Sequence, residues 1–445
     1  MGELPAMIEI DVRPEAADLP PPNDRRIPVQ LYGASAAKDM GAIGGSVIDR
    51  VSRIAAPLDH AAFDFLSLSL SLAVAAADTF ADRSEAADGW AREINLVVAL
   101  ADPERWRPAQ SLLEKALRFL SGDQWSLRFV EGGRPLPAPR TRVSNKLVLA
   151  DCRSACLFWG GLDSAIGMLD LRAEGERSVL ISHAYTHDAG RQAEILNRAG
   201  GATPRLALHA NPTKRLDHNN DVRMRTRSFN FFAMGALVAA TLSKNYLQGK
   251  AVPLYVPENG LIAINSPLTN RRIGALSTRT THPHYMLLIQ QVFDAVGLPV
   301  RLHNPYATLT KGEMIAECAD QGALRSFVSR TVSCGKWKRS GIQCGRCVPC
   351  LIRRASLYHA GWEDQTEYKA SSKNLREVLK AGNDSDDLMA MILAARRMDS
   401  RDVSSWIAKT GPLPKDAAEQ KALADVVSRG MAEVAQYLRS EQLPA

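Results

Sequence analysis

The 445-residue sequence contains no apolar run of the length a membrane span needs; the nearest approach, residues 63–77, is broken by Asp64 and three serines. A membrane association is therefore not expected. Aromatic residues make up only 6% of the chain, and no aromatic ladder accompanies its main basic stretch beyond Trp337, so a base-stacking surface for nucleic acid is not expected either. The first five residues, Met1 to Pro5, lack the basic start and apolar middle of a signal peptide, and the sequence reads as cytoplasmic. Cysteine is sparse outside one place. Four of the seven fall between Cys334 and Cys350, which argues for a metal site rather than a disulfide framework.

What is present is ordinary for a globular protein: 46% hydrophobic and 23% charged residues, with a net charge of +7. The basic balance suits phosphate-bearing ligands but is also common without them. The length implies two or three units. Residues 1–27, rich in Pro, Asp and Glu, are expected to form a flexible leader. Residues 28–145 read as an α+β domain, with strands over 66–72 and 94–100, a polar turn around 82–88, a helix carrying Leu112, Leu113, Ala116, Leu117 and Leu120 on one face, and a strand over 125–130. His60 there reads as structural. From 146 to 330 the rhythm is strand, helix, strand, helix: strands over 146–149, 155–158, 178–182, 205–209 and 254–256, and helices over 164–172, 192–198 and 229–242. That alternation implies a doubly wound parallel sheet, with ligands at the carboxyl ends of its strands. A metal-binding segment (331–357) and a helical C-terminal appendage (358–445) follow, the appendage without a catalytic constellation.

Two motifs carry chemistry. The first is the apolar run ending Cys156-Leu157-Phe158, followed by Trp159-Gly160-Gly161-Leu162-Asp163-Ser164. It reads as a strand, a phosphate-cradling turn and a helix N-terminus, where unpaired N–H groups and the helix dipole favour an anion. An ordinary tight strand-to-helix turn has the same appearance. The second motif is Cys334-x9-Cys344-x2-Cys347-x2-Cys350, whose thiolates can converge on one tetrahedral zinc of the closed, structural kind. Between Arg325 and Arg354 there are eight Lys or Arg residues and no acid; these neutralise a four-thiolate zinc, face a triphosphate, or form a nucleic-acid patch. Glu258-Asn259-Gly260 at a strand end is placed to read a purine-like ring, or is a simple Asn-Gly turn.

Together these motifs resemble the PP-loop ATP pyrophosphatase superfamily, and within it the 7-cyano-7-deazaguanine synthase family of queuosine biosynthesis. The family's Ser-Gly-Gly-x-Asp-Ser loop is matched by Gly160, Gly161, Asp163 and Ser164, and its Cys-Gly-x-Cys-x-x-Cys motif by Cys344-Gly345-Arg346-Cys347, Cys350 and Arg353, preceded by Thr331, Ser333 and Cys334. Arg225-x-Arg227-Ser228-Phe229-Asn230 and Leu309-Thr310-Lys311-Gly312-Glu313 correspond more weakly. The resemblance covers about residues 150–357. The overall layout also looks like extended relatives from anti-phage defence clusters, of the Qat type.

The resemblance implies a PP-loop (HUP-like) fold and an enzyme using ATP and Mg²⁺, with Zn²⁺ on the four cysteines. It would adenylate a carboxylate, that of 7-carboxy-7-deazaguanine, and pass it to ammonia or to an amine of a partner protein encoded nearby. Residues 159–164 and Arg225 would hold the nucleotide, with Asp163, Ser164, Lys311 and Arg227 acting in catalysis. Glu258, Asn259, His282 and His284 would face the substrate, the two histidines doing acid–base work or simply lining a turn. The sequence is compatible with a homodimer. Two departures stand out: Trp159 replaces the loop's first serine, and the stretch from Thr278 to Tyr285 replaces a Tyr-Pro-Asp-Cys-Arg type sequence. The rival readings are a tRNA-thiolating PP-loop enzyme, which needs a reactive cysteine such as Cys156, and a degenerate nucleotide-binding scaffold.

Overall fold

The computed structural model describes residues 8–445 apart from 24, 34–39, 71–79, 82–85, 87, 140–145, 184–185, 202, 211, 213–224, 270–278, 338–340 and 383–384. Its first sheet is built from β1 (Ile8–Arg13), β2 (Arg26–Gly33), β3 (Gly41–Gly44), β4 (Glu93–Ala99) and β5 (Gln124–Val130), in the order β3-β2-β1-β4-β5. Every pairing is parallel, so the unit expected to be α+β carries a wholly parallel sheet. β1 lies within the stretch expected to be a flexible leader, and it is the central strand. Ile10 and Val12 are buried on one face, and buried Asp11 is paired with Arg13 at 2.6 Å.

The alternating Leu-Ser run also departs from expectation. Period two predicts a strand over 66–72, yet His60–Leu70 is a helix, with 71–72 outside the described residues. Ala61, Ala62 and Phe65 bury at helical spacing, and Phe65 packs edge-on to Phe229 at 4.9 Å. Tertiary packing against the long helix Arg227–Tyr246 thus overrides the local pattern.

The second sheet comprises β6 (Ser154–Leu157), β7 (Ser178–His183), β8 (Arg205–Leu208), β9 (Val252–Tyr255) and β10 (Val300–His303), in the order β10-β9-β6-β7-β8. It too is parallel throughout. Helices Leu162–Ala173, Thr186–Arg198, Arg227–Tyr246 and Pro283–Ala295 make the crossovers, as the strand–helix alternation requires. Residues 146–149, expected as a strand, contribute an isolated bridge between Leu147 and Ile54 instead.

One hydrophobic cluster runs without interruption from the first sheet into the second. The C-terminal part carries a series of helices between Leu375 and Ser440, whose core is completed by Leu261, Ile264, Leu351 and Ile352 from the preceding units. Its last helix, Ala417–Ser440, buries Leu423, Val426, Val427, Met431, Val434 and Leu438. No described helix is long and apolar enough to cross a membrane.

Candidate active site

In both sheets the strand order reverses beside the first strand, and in the second sheet the reversal falls between β6 and β9. That is where a crevice opens in doubly wound folds. β6, buried along its length, runs into Phe158 and Trp159 and then turns at Gly160, whose φ of +79° suits glycine. Gly161 is the N-cap of Leu162–Ala173. The turn is tightly enclosed: a Cβ on Gly160 would lie 3.1 Å from the Gln192 side chain, and one on Gly161 3.3 Å from the Val332 carbonyl. Val332 donates its N–H to Gly160 O at 2.9 Å, so the backbone just before the cysteine segment is tied to the turn. Ser164 Oγ donates to Gly161 O at 3.0 Å and accepts from the Trp159 N–H at 3.3 Å. The first-turn amides of the helix have no intrahelical acceptors and form its positive end. The Trp159 indole packs against the Phe231 ring, centroids 5.4 Å apart.

Asp163, one position into that turn, gathers residues from two other segments. Lys311 Nζ stands 2.7 Å from Asp163 Oδ1, both side chains being buried. Asn259 donates to Asp163 Oδ2 through Nδ2 at 2.7 Å and through its backbone N–H at 3.2 Å. The same Nδ2 lies 3.3 Å from Glu258 Oε1. Burial alone would raise the Asp163 carboxyl, but the Lys311 ammonium and hydrogen bonds from Glu258, Lys311 and Asn259 prevail and hold it at about 2. Burial, and then the adjacent Asp163 charge, push Glu258 well above the carboxylate range. The result is one ionised and one protonated carboxyl beside an ammonium, a set able to stabilise developing charge and to donate a hydrogen bond.

Local structure fixes each member. Asn259 caps Gly260–Ile264 by accepting from Ile262 N at 3.1 Å. With Nδ2 also engaged, its amide orients Asp163 and is not free to read a ring. Asn304 clamps Glu258 from both sides, accepting from Glu258 N and donating to Glu258 O at 2.8 Å. Thr310 and Glu313 form a capping box that starts Lys311–Glu317.

Glu433, which sequence reasoning missed, lies beneath that box. Thr310 Oγ1 hydrogen-bonds Glu433 Oε1, and Gly312 N–H donates to Glu433 Oε2 at 3.3 Å. Arg429 donates to Glu313 at 2.6 Å and to the Thr308 carbonyl at 2.8 Å. The C-terminal helix therefore braces the Lys311 segment. A signal was available: Glu433 is an acid in the otherwise apolar stripe of Gly430, Val434 and Tyr437.

Other expected site residues are placed elsewhere. Arg225 stacks over Trp90 at 4.3 Å and donates to Ser121 O at 3.1 Å, both in the N-terminal unit. Arg227 opens the long helix. Buried His282 accepts the His284 N–H on Nδ1, which leaves Nε2 as the donor to Thr410 Oγ1 at 2.8 Å. Both histidine rings pack against Phe119. Burial, and then Arg279 and His284, hold His282 down at about 3, so it stays neutral and joins three parts of the chain. Thr278 lies outside the described residues.

Cys334, Cys344, Cys347 and Cys350 are buried with every Sγ within 4.8 Å of the others. Backbone N–H groups of Lys336 and Cys344 point at Cys334 Sγ at 3.3 and 3.2 Å, and that of Cys347 at Cys344 Sγ at 3.3 Å. Four thiols with amide donors aimed at sulfur fit a closed tetrahedral Zn²⁺ site. Gly345, at φ +75°, makes the knuckle turn. Fully buried Arg353 fastens the following helix to Thr331, Val328 and Thr366. The acid-free cationic stretch is largely committed internally: Arg325 stacks on Trp362, Arg330 pairs with Glu194, and Arg354 stacks on Tyr368.

A glycine turn at the switch point of a parallel sheet, with an aspartate in its first helical turn and a four-thiol knuckle bonded to it, defines an α/β protein of the PP-loop kind. Residues 281–361 match the family described as Queuosine biosynthesis protein QueC. A 7-cyano-7-deazaguanine synthase of Cupriavidus necator is 27% identical over 239 residues, covering 99% of that protein but 49% of this chain. One from Syntrophobacter fumaroxidans is 24% identical over 233 residues, covering 96% of that protein and 48% of this chain. One from Nitrosospira multiformis is 36% identical over 74 residues, 31% of its length and 17% of this chain. The chain is thus similar to the QueC synthases over about half of its length, and the rest extends beyond what aligns with them.

Proposed function

We propose that this chain is an ATP-using synthase that activates the carboxylate of 7-carboxy-7-deazaguanine and joins it to nitrogen. The observation that supports this reading best is the Asp163–Lys311 pair, with Glu258 alongside, at the helix N-terminus beside the glycine turn. A substrate carboxylate oxygen attacks the α-phosphorus of ATP, the α–β bridging bond breaks, and pyrophosphate leaves. Lys311, the Ser164 hydroxyl and the first-turn amides offset its charge. Asp163, whose two oxygens are held by Lys311 and Asn259, is the carboxylate that would face the Mg²⁺ accompanying the triphosphate. Ammonia then attacks the acyl carbon and AMP departs, while Glu258, through its hydrogen bond to Asp163, keeps the Asp163 carboxylate charged. The zinc knuckle does no chemistry; it anchors the turn through Val332.

Oxygen balance gives a sharp test. Converting a carboxylate to a nitrile removes two oxygens, each leaving on an AMP, so two AMP form per nitrile. Incubating the zinc-loaded protein with 7-carboxy-7-deazaguanine, ATP, Mg²⁺ and ammonium should give AMP and 7-cyano-7-deazaguanine at two to one. Absence of AMP release with ammonia or an amine acceptor would sink the proposal.

A second reading, transfer to an amine of a partner protein in an anti-phage defence setting, is favoured by the half of the chain that the synthases leave unaligned. It requires one AMP per amide and a deazaguanine mass increment on the partner. Thiolation of tRNA is disfavoured by Cys156, which is fully buried with its thiol pushed up to about 12 by burial. Tight ATP binding without any turnover would point to the scaffold reading.

A further inference from the structure

An edge strand leaves carbonyls without partners, and the N-terminal unit covers those of β8. Gly44 N–H donates to Ala210 O at 2.7 Å, and Arg50 Nη1, from the helix Val47–Val51, donates to Ala207 O at 2.9 Å. Beside this seam lies a cleft of about 380 Å³ lined by Arg50, Arg53, Lys146, Arg205, Leu147, Leu206 and Ala207. Four cationic side chains converge on it and no acidic one does. The acceptors of Arg50 and Arg205 are neutral, Ala207 O and Gln192 Oε1 at 3.2 Å. Among the described residues no carboxylate pairs with Arg50, Lys146 or Arg205. Like charges gathered in a concave, partly apolar cleft raise the local concentration of an anion.

We propose that this cleft is a second anion site, taking a small ligand that carries two or more phosphate groups. Three guanidinium forks and one ammonium match tetrahedral oxyanions. The volume suits an oligophosphate, and no lining aromatic offers a base-stacking surface of the kind single-stranded nucleic acid uses. The site also has a route to the catalytic turn. Gln192, the acceptor of Arg205, donates through Nε2 to His183 O at 3.0 Å and to Trp159 O at 3.4 Å. A ligand that draws the Arg205 guanidinium away from Gln192 acts on the residue immediately before Gly160.

The experiment is calorimetric titration of the full-length, zinc-loaded protein with inorganic tripolyphosphate, in parallel with a short single-stranded oligoribonucleotide. Wild type is expected to show two classes of tripolyphosphate site. Lys146→Glu and Arg53→Glu, both at exposed positions, should weaken one class at least tenfold and leave the other. Lys311→Met should do the reverse. A single class that responds to Lys311→Met alone would overturn the proposal. So would an oligoribonucleotide, rather than tripolyphosphate, being the ligand whose binding the Lys146 and Arg53 variants lose. Because binding is read without turnover, the result is independent of whether the chain is a synthase.

Discussion

The two sheets of this protein share one plan and differ in what closes their upper edge. Counting from the first strand of each, both run 3-2-1-4-5 and both are parallel throughout. In the second, β6 is followed by a glycine turn and a helix, and the crevice collects Asp163, Lys311, Glu258 and Asn259. In the first, β1 leads only to a short 3-10 turn at Ala16–Asp18, and the carboxyl end of β4 is covered by the chain itself. Gly133 donates to Leu100 O at 3.0 Å, and a Cβ there would sit 2.1 Å from Ala101 N. Asp64 accepts from Ala101 N nearby. Strand order sets where a site could be; the turn that follows the strand decides whether space remains for a ligand.

Zinc should sharpen this contrast most. Because Val332 is bonded to Gly160, chelating the metal or making Cys347→Ser should expose amides 160–164 to hydrogen exchange while those of β1 and β4 stay protected. The loss should be several kcal/mol, since structural zinc supplies about 10–16 kcal/mol in small zinc domains. Uniform loss of protection in both sheets would mean the knuckle supports the whole molecule and not the turn.

Asp163→Asn should lower AMP formation by about 10³-fold or more. It also strands buried Lys311, at about 3–5 kcal/mol, so the double variant Asp163→Asn with Lys311→Met should recover stability but not turnover. Glu433→Ala touches no substrate and should still lower turnover by about 10²-fold through misplacement of Lys311, with Glu433→Gln recovering part of it. Gly133→Ala should cost about 1–3 kcal/mol by overpacking the first sheet's closed edge, measured by denaturant melting, with turnover per folded molecule unchanged.

Taken per pH unit, the smallest effect is that of acid. The His282 ring titrates near 3 in the folded chain against an ordinary 6.5, so between those values the unfolded chain binds a proton that the native one does not. Stability should therefore fall as pH drops through that window, by up to about 1.4 kcal/mol per unit. His282→Asn should flatten that slope.

Much of the second sheet was legible because buried parallel strands and amphipathic crossover helices leave strong periodic signals. Asp163 and Lys311 were each legible as motif residues but their pairing was not, since nothing in spacing links residues 148 positions apart. The first sheet was obscured by its own economy of helices. β1, a six-residue alternation, stands amid prolines and acids, and the Leu-Ser run satisfies a strand pattern while its neighbours at 61, 62 and 65 satisfy a helical one. His282 and Arg225 misled because a polar residue near a motif looks the same in sequence whether it faces a ligand or a neighbouring unit. Glu433 was hidden by distance, its partners lying more than 100 positions earlier.

That brace has a temporal side. Thr310, Lys311 and Gly312 are synthesised more than 100 residues before Glu433. Domains generally fold as the nascent chain emerges, N-terminal parts first. The turn, the sheet and the knuckle can thus assemble on the ribosome while Lys311 still lacks its support. A chain broken off before Glu433 would retain the glycine turn without a fully positioned Lys311.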